Sequence, residues 1–493
     1  MALTHAVDKH IVQLEPGRGL LVGDSWREAA TTFDVHDPGT GQVVAAVSDA
    51  TAVEATRAVD AAYAAGPAWR ATPPRERSDL LHRTFELMRE DTDRLAELIM
   101  LENGKPEADA RAEVAYAAEF FRWFAEEAVR TSGAYGESPA GGTRTVVTHR
   151  PVGVAALVTP WNFPAAMATR KIAPALAAGC TVVVKPAAET PLTAMAIARL
   201  LVEAGVPDGV VNLLPTTDAP GVVSTWLEDP RVRKISFTGS TPVGRVLLRQ
   251  AADRVVNSSM ELGGNAPFLV TDDADLDAAV RGALVAKFRN GGQACTAANR
   301  FYVHETVVDE FTARFGAAVE ALRVGPATDP GAQVGPVITA AAATRVEQAI
   351  ADAVASGARV AHRAPVPDDL TGYFVAPTVL VDVPADAPIV RDEIFGPVAP
   401  IVTYSSDDEV VRLANDSEYG LAAYVYAGNL QRAMRLGEAL DAGMVGVNRG
   451  VVSDPSAPFG GVKQSGLGRE GAREGLLEYT EQQYLSIDWA DPS

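Results

Sequence analysis

Only two cysteines occur among 493 residues, and one of them, Cys295, lies in RNGGQACTAANR between a glycine pair and a run of small residues. Its neighbours are Gly291, Gly292, Ala294, Thr296, Ala297 and Ala298. Small neighbours leave room for a reactant to approach the sulfur, whereas a cysteine used as a small core hydrophobe more naturally sits among large apolar residues. What else the chain supplies decides between the two readings. TPWNFP places Asn162, an amide donor, in a proline-bounded turn at a strand end. KISFTGSTPVGRVL reads as strand, tight turn and helix, with Gly239 and Gly244 five residues apart. MELGGNAP sets Glu261 beside two glycines, 34 residues before the cysteine (295 − 261), and EIFGPV carries Glu393. Glycine-rich turns and loop carboxylates are common, so none of these stretches is specific alone.

The elements that must position these residues follow from periodicity. From Ala52 to about Arg130, apolar residues at three- and four-residue intervals predict helices in TAVEATRAVDAAYAA, RERSDLLHRTFELMRE and EADARAEVAYAAEFFRWFAEEAVR. TRTVVTHRPVGVAALVTP, β-branched and interrupted by Pro151, predicts an extended hairpin that leaves the helical layer. CTVVVKP and VNLLP predict short buried strands on either side of the amphipathic helix TPLTAMAIARLLVEAGVP, and RKISFTGS another strand. A second series after MELGGNAP runs APFLVTD, LDAAVRGALVAKFR, RFYVHE, a helix to Leu322, PVAPIVTY, LAAYVYA and GMVGVNRG. Strands alternating with helices imply parallel, doubly wound sheets. The polar, β-branched tail YTEQQYLSID is placed to pair with the hairpin near residue 145, in the same or a neighbouring subunit. Neither an internal repeat nor a low-complexity linker interrupts the series.

Composition narrows the classes. A chain of this length exceeds one simple core, and about three units of ordinary size is the prior. Hydrophobic content of 47% with 22% charged residues is that of a soluble globular protein. A formal net charge of −20 argues against nucleic acid or an anionic membrane as partner, so an anionic ligand needs its own cluster of basic groups. Two cysteines far apart make no disulfide framework and fit a reducing, cytoplasmic setting. The seven histidines lack ligand spacing, so no metal is expected. MALTHAVDKH has no basic n-region or apolar h-region, and the longest apolar run, Ile172 to Val184, is shorter than the ~20 residues that span a bilayer.

Taken together and in this order, the motifs resemble the aldehyde dehydrogenase family across nearly the whole chain. The resemblance implies an α/β fold of two doubly wound domains with a small β arm for oligomerisation. The cofactor-binding domain would be 1–131 and 153–262, the catalytic domain 263–450 with an active-site loop 451–477, and the arm 132–152 and 478–493. A homodimer or homotetramer is implied, as is NAD(P)-dependent oxidation of a small-molecule aldehyde to an acid. By the same resemblance Cys295 attacks the aldehyde carbon to give a thiohemiacetal, which fits the nucleophilicity of a thiolate. Asn162 and the backbone N–H of Cys295 would hold the oxyanion, and Glu261 would activate the water that hydrolyses the thioester. The residues alone also allow Asn162 as a turn residue satisfying its own backbone and Glu261 as an ordinary surface carboxylate.

SFTGSTPVG is neither the dinucleotide fingerprint nor a P-loop, because Arg245 follows Gly244 where a P-loop has Lys and then Ser or Thr. It offers a helix N-terminus, capped by Ser240, at which a pyrophosphate accepts backbone N–H bonds. The resemblance assigns Lys185 to the adenosine ribose and Glu393 to the nicotinamide ribose, with Trp161, Gly239, Gly244 and Phe395 completing the cofactor set. Many NAD-specific members carry a glutamate three residues after that lysine, where this chain has Ala188. Without that carboxylate the pocket should tolerate NADP as well as NAD, although the adjacent Glu189 partly substitutes.

The TRK after TPWNFPAAMA, the run KFRNGGQAC and the tail GVVSDPSAPFGGVKQSGLGREG resemble the succinate-semialdehyde branch of the family. In that branch the residues matching Arg170, Arg289 and Ser453 hold the distal carboxylate, a task suited to the paired donors of guanidinium groups. The alternatives are a helix-surface charge for Arg170, an ion-pair partner for Arg289 and a loop cap for Ser453. Some branch members have a second cysteine two residues after the nucleophile, where this chain has Ala297, so a disulfide switch is not expected, and Cys180 in AAGCTVVV reads as inert. Rival functions are oxidation of another ω-carboxy aldehyde such as glutarate semialdehyde, or of a neutral aldehyde. A cysteine-dependent acyl hydrolase would leave the SFTGS turn without purpose and lacks a histidine near any motif. A non-catalytic binding protein is expected to have lost Cys295 or Glu261, and both are present.

Overall fold

A computed structural model describes residues 19–489; the start MALTHAVDKH, on which the expectation about a targeting segment rests, and the last four residues of the arm expected at 478–493 lie outside the described residues. Two large sheets dominate. Apolar, β-branched runs such as TVVVK and APFLV are buried along their whole length, as strands covered on both faces must be. In the first sheet, five parallel strands lie in the spatial order Asn257–Glu261, Val232–Thr238, Val154–Val158, Thr181–Lys185 and Val211–Leu213. Gly466–Leu467 is added antiparallel to Asn257–Glu261 on one side, and on the other Leu20–Val22 is antiparallel to Val211–Leu213, with Ser25–Arg27 outermost. The second sheet orders Thr378–Val381, Val398–Tyr404, Ala298–His304, Ala266–Val270, Ala422–Tyr426 and Met444–Val447 in parallel, with Arg359–Arg363 antiparallel at one edge. The three helices predicted between Ala52 and Arg130 are observed at Ala52–Ala71, Pro74–Glu90 and Glu107–Ala128, with a fourth, Thr92–Asn103, between the last two.

In the first sheet the direction of winding reverses between Val154–Val158 and Val232–Thr238, which places a crevice at the carboxyl ends of those strands. Register then aligns the chemistry-bearing positions. Val158 lies opposite Lys185 and Phe237, and Thr238 lies opposite Glu261, so Lys185, Thr238 and Glu261 share one edge of the sheet.

One expectation about these strands needs correction. TRTVVTHRPVGVAALVTP is not a hairpin: Thr143–Pro151 pairs with Ala134–Glu137 and with the tail strand Thr480–Asp488 in a separate three-stranded sheet, while Val154–Val158 enters the large sheet. Between them Gly153, at φ 123°, redirects the chain, and alternation of side chains cannot distinguish a turn within a sheet from a change of sheet. The tail pairing near residue 145 is present, within the same chain. The apolar run Ile172 to Val184 is two elements, since the helix Pro164–Ala178 stops at Gly179, whose left-handed φ of 94° starts the turn into Thr181–Lys185. Sequence periodicity also missed the helices Ala340–Ala355, Asp407–Asn415 and Leu430–Ala439 and the strand Thr378–Val381. Among the described residues no helix is long and apolar enough to cross a membrane.

The helix Thr241–Ala252 packs directly on the residue after Glu261, because a Cβ at Gly244 would overlap the Leu262 side chain. Gly244→Ala is therefore expected to cost about 1–3 kcal/mol of stability, as overpacking does. The loss should be read as a lower urea midpoint with an unchanged m-value.

Candidate active site

The helix Pro164–Ala178 begins just beyond the crevice, and its first N–H groups have no partner of their own. Glu113, on the helix Glu107–Ala128, supplies one: its carboxylate accepts from the N–H of Ala165 at 2.9 Å and of Ala166 at 3.3 Å, and pairs with Lys105. Lys105 also donates to the carbonyl of Asn162 at 3.0 Å, and Asn290 Nδ2 donates to the same carbonyl at 2.9 Å. Asn162 is thus fixed by its backbone. Its side chain is buried and Nδ2 donates to the carbonyl of Gln293 at 3.0 Å, two residues before the cysteine, so one amide N–H is engaged there rather than with its own turn.

The cysteine loop follows the helix Leu276–Phe288. Asn290, Gly291 and Gly292 take left-handed φ values of 53°, 61° and 74°, which turn the chain back toward the crevice. Gln293 pins the turn, accepting from Ile338 N–H at 2.9 Å and donating to the carbonyls of Asn290 and Pro336 at 3.1 and 3.3 Å. A Cβ at Gly264 would overlap the Cys295 carbonyl, which explains one glycine of MELGGNAP as a close approach of two backbones.

Cys295 is half-buried and faces a cavity of about 190 Å³ whose lining includes Arg170, Arg289, Ser453, Phe163, Phe459 and Tyr116. Four residues predicted from sequence are brought together here. Arg170 is no surface charge: it is 1% exposed, pairs with Glu470, and its guanidinium carbon lies 4.0 Å from the Phe459 ring centroid. Arg289 stacks 5.3 Å from Phe163 and has no ion-pair partner among the described residues. Glu261 ends its strand fully buried, with Oε2 lacking a hydrogen-bond partner, so it is not a surface carboxylate either.

Burial governs the electrostatics. It pushes the Cys295 thiol up to about 12; the Arg170 and Arg289 charges pull the other way, while Glu393 and Glu261 add to the rise. Burial therefore favours the protonated thiol over the thiolate expected of a nucleophile. Glu261 is held well above the usual carboxylate range, by burial first and by the neighbouring Glu470 second, against Arg170, Lys171 and Arg469. Glu393, half-buried and accepting from Gly264 N–H at 3.1 Å, is raised to about 7 by burial. Cys180 is completely buried, with its thiol raised to about 11 by burial and donating to the Tyr479 carbonyl at 3.3 Å, as an inert packed cysteine should be.

The remaining predicted residues lie along the sheet edge. Gly239 donates its N–H to the Glu261 carbonyl at 3.0 Å. Ser240 occupies the N-cap position of Thr241–Ala252 with extended backbone, but its exposed side chain makes no capping bond, which corrects the expected cap and leaves the helix N-terminus without a side-chain acceptor. Gly244 N–H closes the first turn onto the Ser240 carbonyl at 3.0 Å. Lys185 is buried, is lowered to about 8 by burial, and has no hydrogen-bond partner among the described residues. Ala188 is half-buried and Glu189 exposed. Trp161 and Phe395 meet edge to face at 5.4 Å, Phe395 with φ 50°. An open helix N-terminus and an unpartnered buried ammonium at one sheet edge suit the phosphates and ribose hydroxyls of a dinucleotide.

Sequence reasoning missed Glu470, Lys171, Tyr116 and Lys287. Lys287 is buried, lowered to about 7 by burial, and donates to Asn299 Oδ1 at 2.8 Å. Tyr116 was discoverable, because it shares a helix face with Asp109, Ala112 and Glu113 at helical spacing. Glu470 was not, since a carboxylate within GLGREG reads as an exposed turn.

Residues 26–485 match the aldehyde dehydrogenase family, and the chain belongs to it. Members are oxidoreductases that convert aldehydes to carboxylic acids with NAD(P). The chain is 53% identical to a succinate-semialdehyde dehydrogenase of Paenarthrobacter nicotinovorans over 91% of its length and 99% of that protein's. It is 48% identical to a glutarate-semialdehyde dehydrogenase of Pseudomonas aeruginosa, over 94% of this chain and 96% of that one. The crystal structure of an NADP-dependent enzyme of Escherichia coli superposes with a TM-score of 0.94 at 47% identity, covering 96% of this chain and 98% of the other.

With the thiol raised by burial, alkylation of Cys295 by iodoacetamide in the cofactor-free protein should be at least about tenfold slower at pH 8 than that of an exposed thiol. Its rate should keep rising above pH 9, be slowed by Arg289→Ala, which removes a cation, and be sped by Glu393→Gln, which removes an anion. Mass spectrometry of the labelled peptide gives the rates; a plateau below pH 9 would contradict the assignment.

Proposed function

We propose that this enzyme oxidises succinate semialdehyde to succinate through a covalent intermediate on Cys295. The observation that carries the reading is that the one thiol among the described residues lining the cavity, Cys295, shares it with two guanidinium groups, Arg170 and Arg289, and with Ser453, in a chain of net charge −20. An aldehyde with a carboxylate at its far end needs both at once. The sulfur attacks the aldehyde carbon and its proton passes to solvent water as the S–C bond forms, because the thiol is the stable form in the free site. The second amide N–H of Asn162 and the N–H of Cys295 stabilise the oxyanion, each donor contributing about 3–4 kcal/mol of barrier lowering. The nicotinamide, when bound, supplies the hydride acceptor that turns the thiohemiacetal into a thioester. Glu261 then takes a proton from water as it attacks the thioester. A raised carboxyl pKa makes it a stronger base near neutrality, and hydrolysis should fall as pH drops and Glu261 is protonated.

Lys185, Ser240, the N-terminus of Thr241–Ala252 and Glu393 would hold the dinucleotide, with Trp161, Phe395, Gly239 and Gly244 shaping its bed. Ala188 carries no carboxylate, which supports use of NADP as well as NAD, while the exposed Glu189 beside it still acts on the Lys185 ammonium and opposes strict NADP preference. The three-stranded sheet exposes Tyr135, Tyr484, Leu485 and Trp489, which supports its role as the arm joining copies into a homodimer or homotetramer. Both cysteines are free, consistent with a cytoplasmic enzyme.

Initial rates with NAD and NADP against succinate semialdehyde, glutarate semialdehyde and butanal test the reading. Arg289→Ala should lower kcat/KM for succinate semialdehyde about ten- to a hundredfold, the loss of one charge-assisted hydrogen bond, while butanal changes by less than about threefold. Equal losses on both substrates would return the enzyme to unselective aldehyde oxidation. Separately, Glu261→Gln should give a first-turnover burst of NAD(P)H in rapid mixing and then stall as the thioester; an unimpaired steady state would remove Glu261 from the hydrolytic step.

A further inference from the structure

Arg170 does not hold its place unaided. Its Nε edge meets the carboxylate of Glu470, its face lies on Phe459, and Nη2 lies 3.3 Å from the thioether of Met167, a weak acceptor. Glu470 and Phe459 come from the loop that also carries Ser453, and they are bound to each other. The N–H of Phe459 donates to the carbonyl of Glu470 and the N–H of Glu470 to that of Phe459, both at 2.7 Å, as a lone antiparallel bridge. One loop thus delivers an aromatic platform and a buried carboxylate to a single guanidinium, and a hydroxyl to the cavity that guanidinium lines. Glu470 itself is absent from the cavity lining and is 5% exposed.

The charges explain why a carboxylate here does not cancel the cation it holds. Glu470 also pairs with Lys171, 2.5 Å away, so its charge is divided between two basic groups and is not spent on Arg170 alone. A bare guanidinium at this depth would carry a large desolvation cost, and a single carboxylate partner would leave no net charge for an incoming anion.

We propose that Glu470 is the positioning residue of the distal-carboxylate site: it aims Arg170 into the cavity, and selection for carboxylate-bearing aldehydes depends on it although it does not touch substrate. This inference rests on the carboxylate reading of the cavity given above. The quantity that reports it is the ratio of kcat/KM for succinate semialdehyde to that for butanal. That ratio ends at hydride transfer, so any effect of Glu470 on the later hydrolysis by Glu261 does not enter it.

A double-mutant cycle on the holoenzyme tests the proposal. Glu470→Gln should lower the ratio about tenfold, chiefly through KM for succinate semialdehyde, and Arg170→Ala by at least as much. In the Arg170→Ala background, adding Glu470→Gln should change the ratio by less than about twofold, because its partner is gone. If Glu470→Gln proves insoluble, Glu470→Asp keeps the charge, withdraws it by one methylene and should give a smaller fall of the same selective kind. A ratio unchanged by the Glu470 variants, a parallel loss on both aldehydes, or an undiminished effect without Arg170 would each overturn the positioning role. An unchanged ratio in Arg170→Ala alone would instead overturn the carboxylate reading beneath it.

Discussion

The buried ionic knot of Arg170, Lys171 and Glu470 is the constraint around which the site is assembled. Charges removed from water cost several kcal/mol each unless geometry and further hydrogen bonds repay them. Repayment here requires three distant segments to meet: the helix Pro164–Ala178 with both cations, the loop before Ala472 with the anion, and the strand Val232–Thr238, whose Ser236 accepts from Lys171 at 3.1 Å. Pairing of Glu261 with Gly466 then brings the end of the same loop against the last parallel strand, and Gly466, at φ 138°, approaches so closely that a Cβ would overlap the Met260 carbonyl. Arg170 and Glu261 are placed by this knot and its strand pairing, while the loop of Arg289 and Cys295 is fixed separately by Asn162, Asn290 and Gln293.

A second buried carboxylate pattern serves the helical layer. Glu102 accepts from Leu192 N–H at 2.6 Å and Thr193 N–H at 2.9 Å at the start of Pro191–Glu203, as Glu113 does for Pro164–Ala178. Both helices begin with proline and neither has a capping side chain of its own. The N-terminal helices are therefore more than a cover for the sheet, because their acidic side chains complete the helices that flank the crevice. Burial outweighs those hydrogen bonds in Glu102, whose carboxyl is raised to about 8.

Legibility in the sequence followed the range of the forces involved. TVVVK, APFLV and the amphipathic helices are set by local burial patterns and were readable. The order of short motifs nominated Cys295, Asn162, Glu261, Arg170, Arg289 and Ser453; the structure gathers Cys295, Arg170, Arg289 and Ser453 at one cavity, while Asn162 and Glu261 lie outside its lining. The fate of TRTVVTHRPVGVAALVTP was hidden because sheet membership is decided by partners more than three hundred residues away. Glu470 was hidden for the same reason, since nothing near GLGREG signals that its carboxylate meets Arg170. The protonated state of Cys295 was hidden because desolvation is a property of the packed site, and small neighbours in sequence do not measure it.

Recognition and reactivity consequently draw on a single field. Arg170 and Arg289 lower the thiol's proton affinity, while Glu393 and Glu261 raise it. On the substrate reading proposed above, an anion seated at the two arginines would remove part of their positive potential at the sulfur, so a carboxylate-bearing substrate would be bound at the expense of thiolate formation and a neutral aldehyde would not. The same anion raises the cost of ionising Glu261, which already faces Glu470. Lys171 offsets this, because it lies in the ionic knot beside Glu470 and not in the cavity lining, where the substrate would screen it. A second cation held behind the first lets a site select a carboxylate without extinguishing the electrostatics that its own nucleophile and base require.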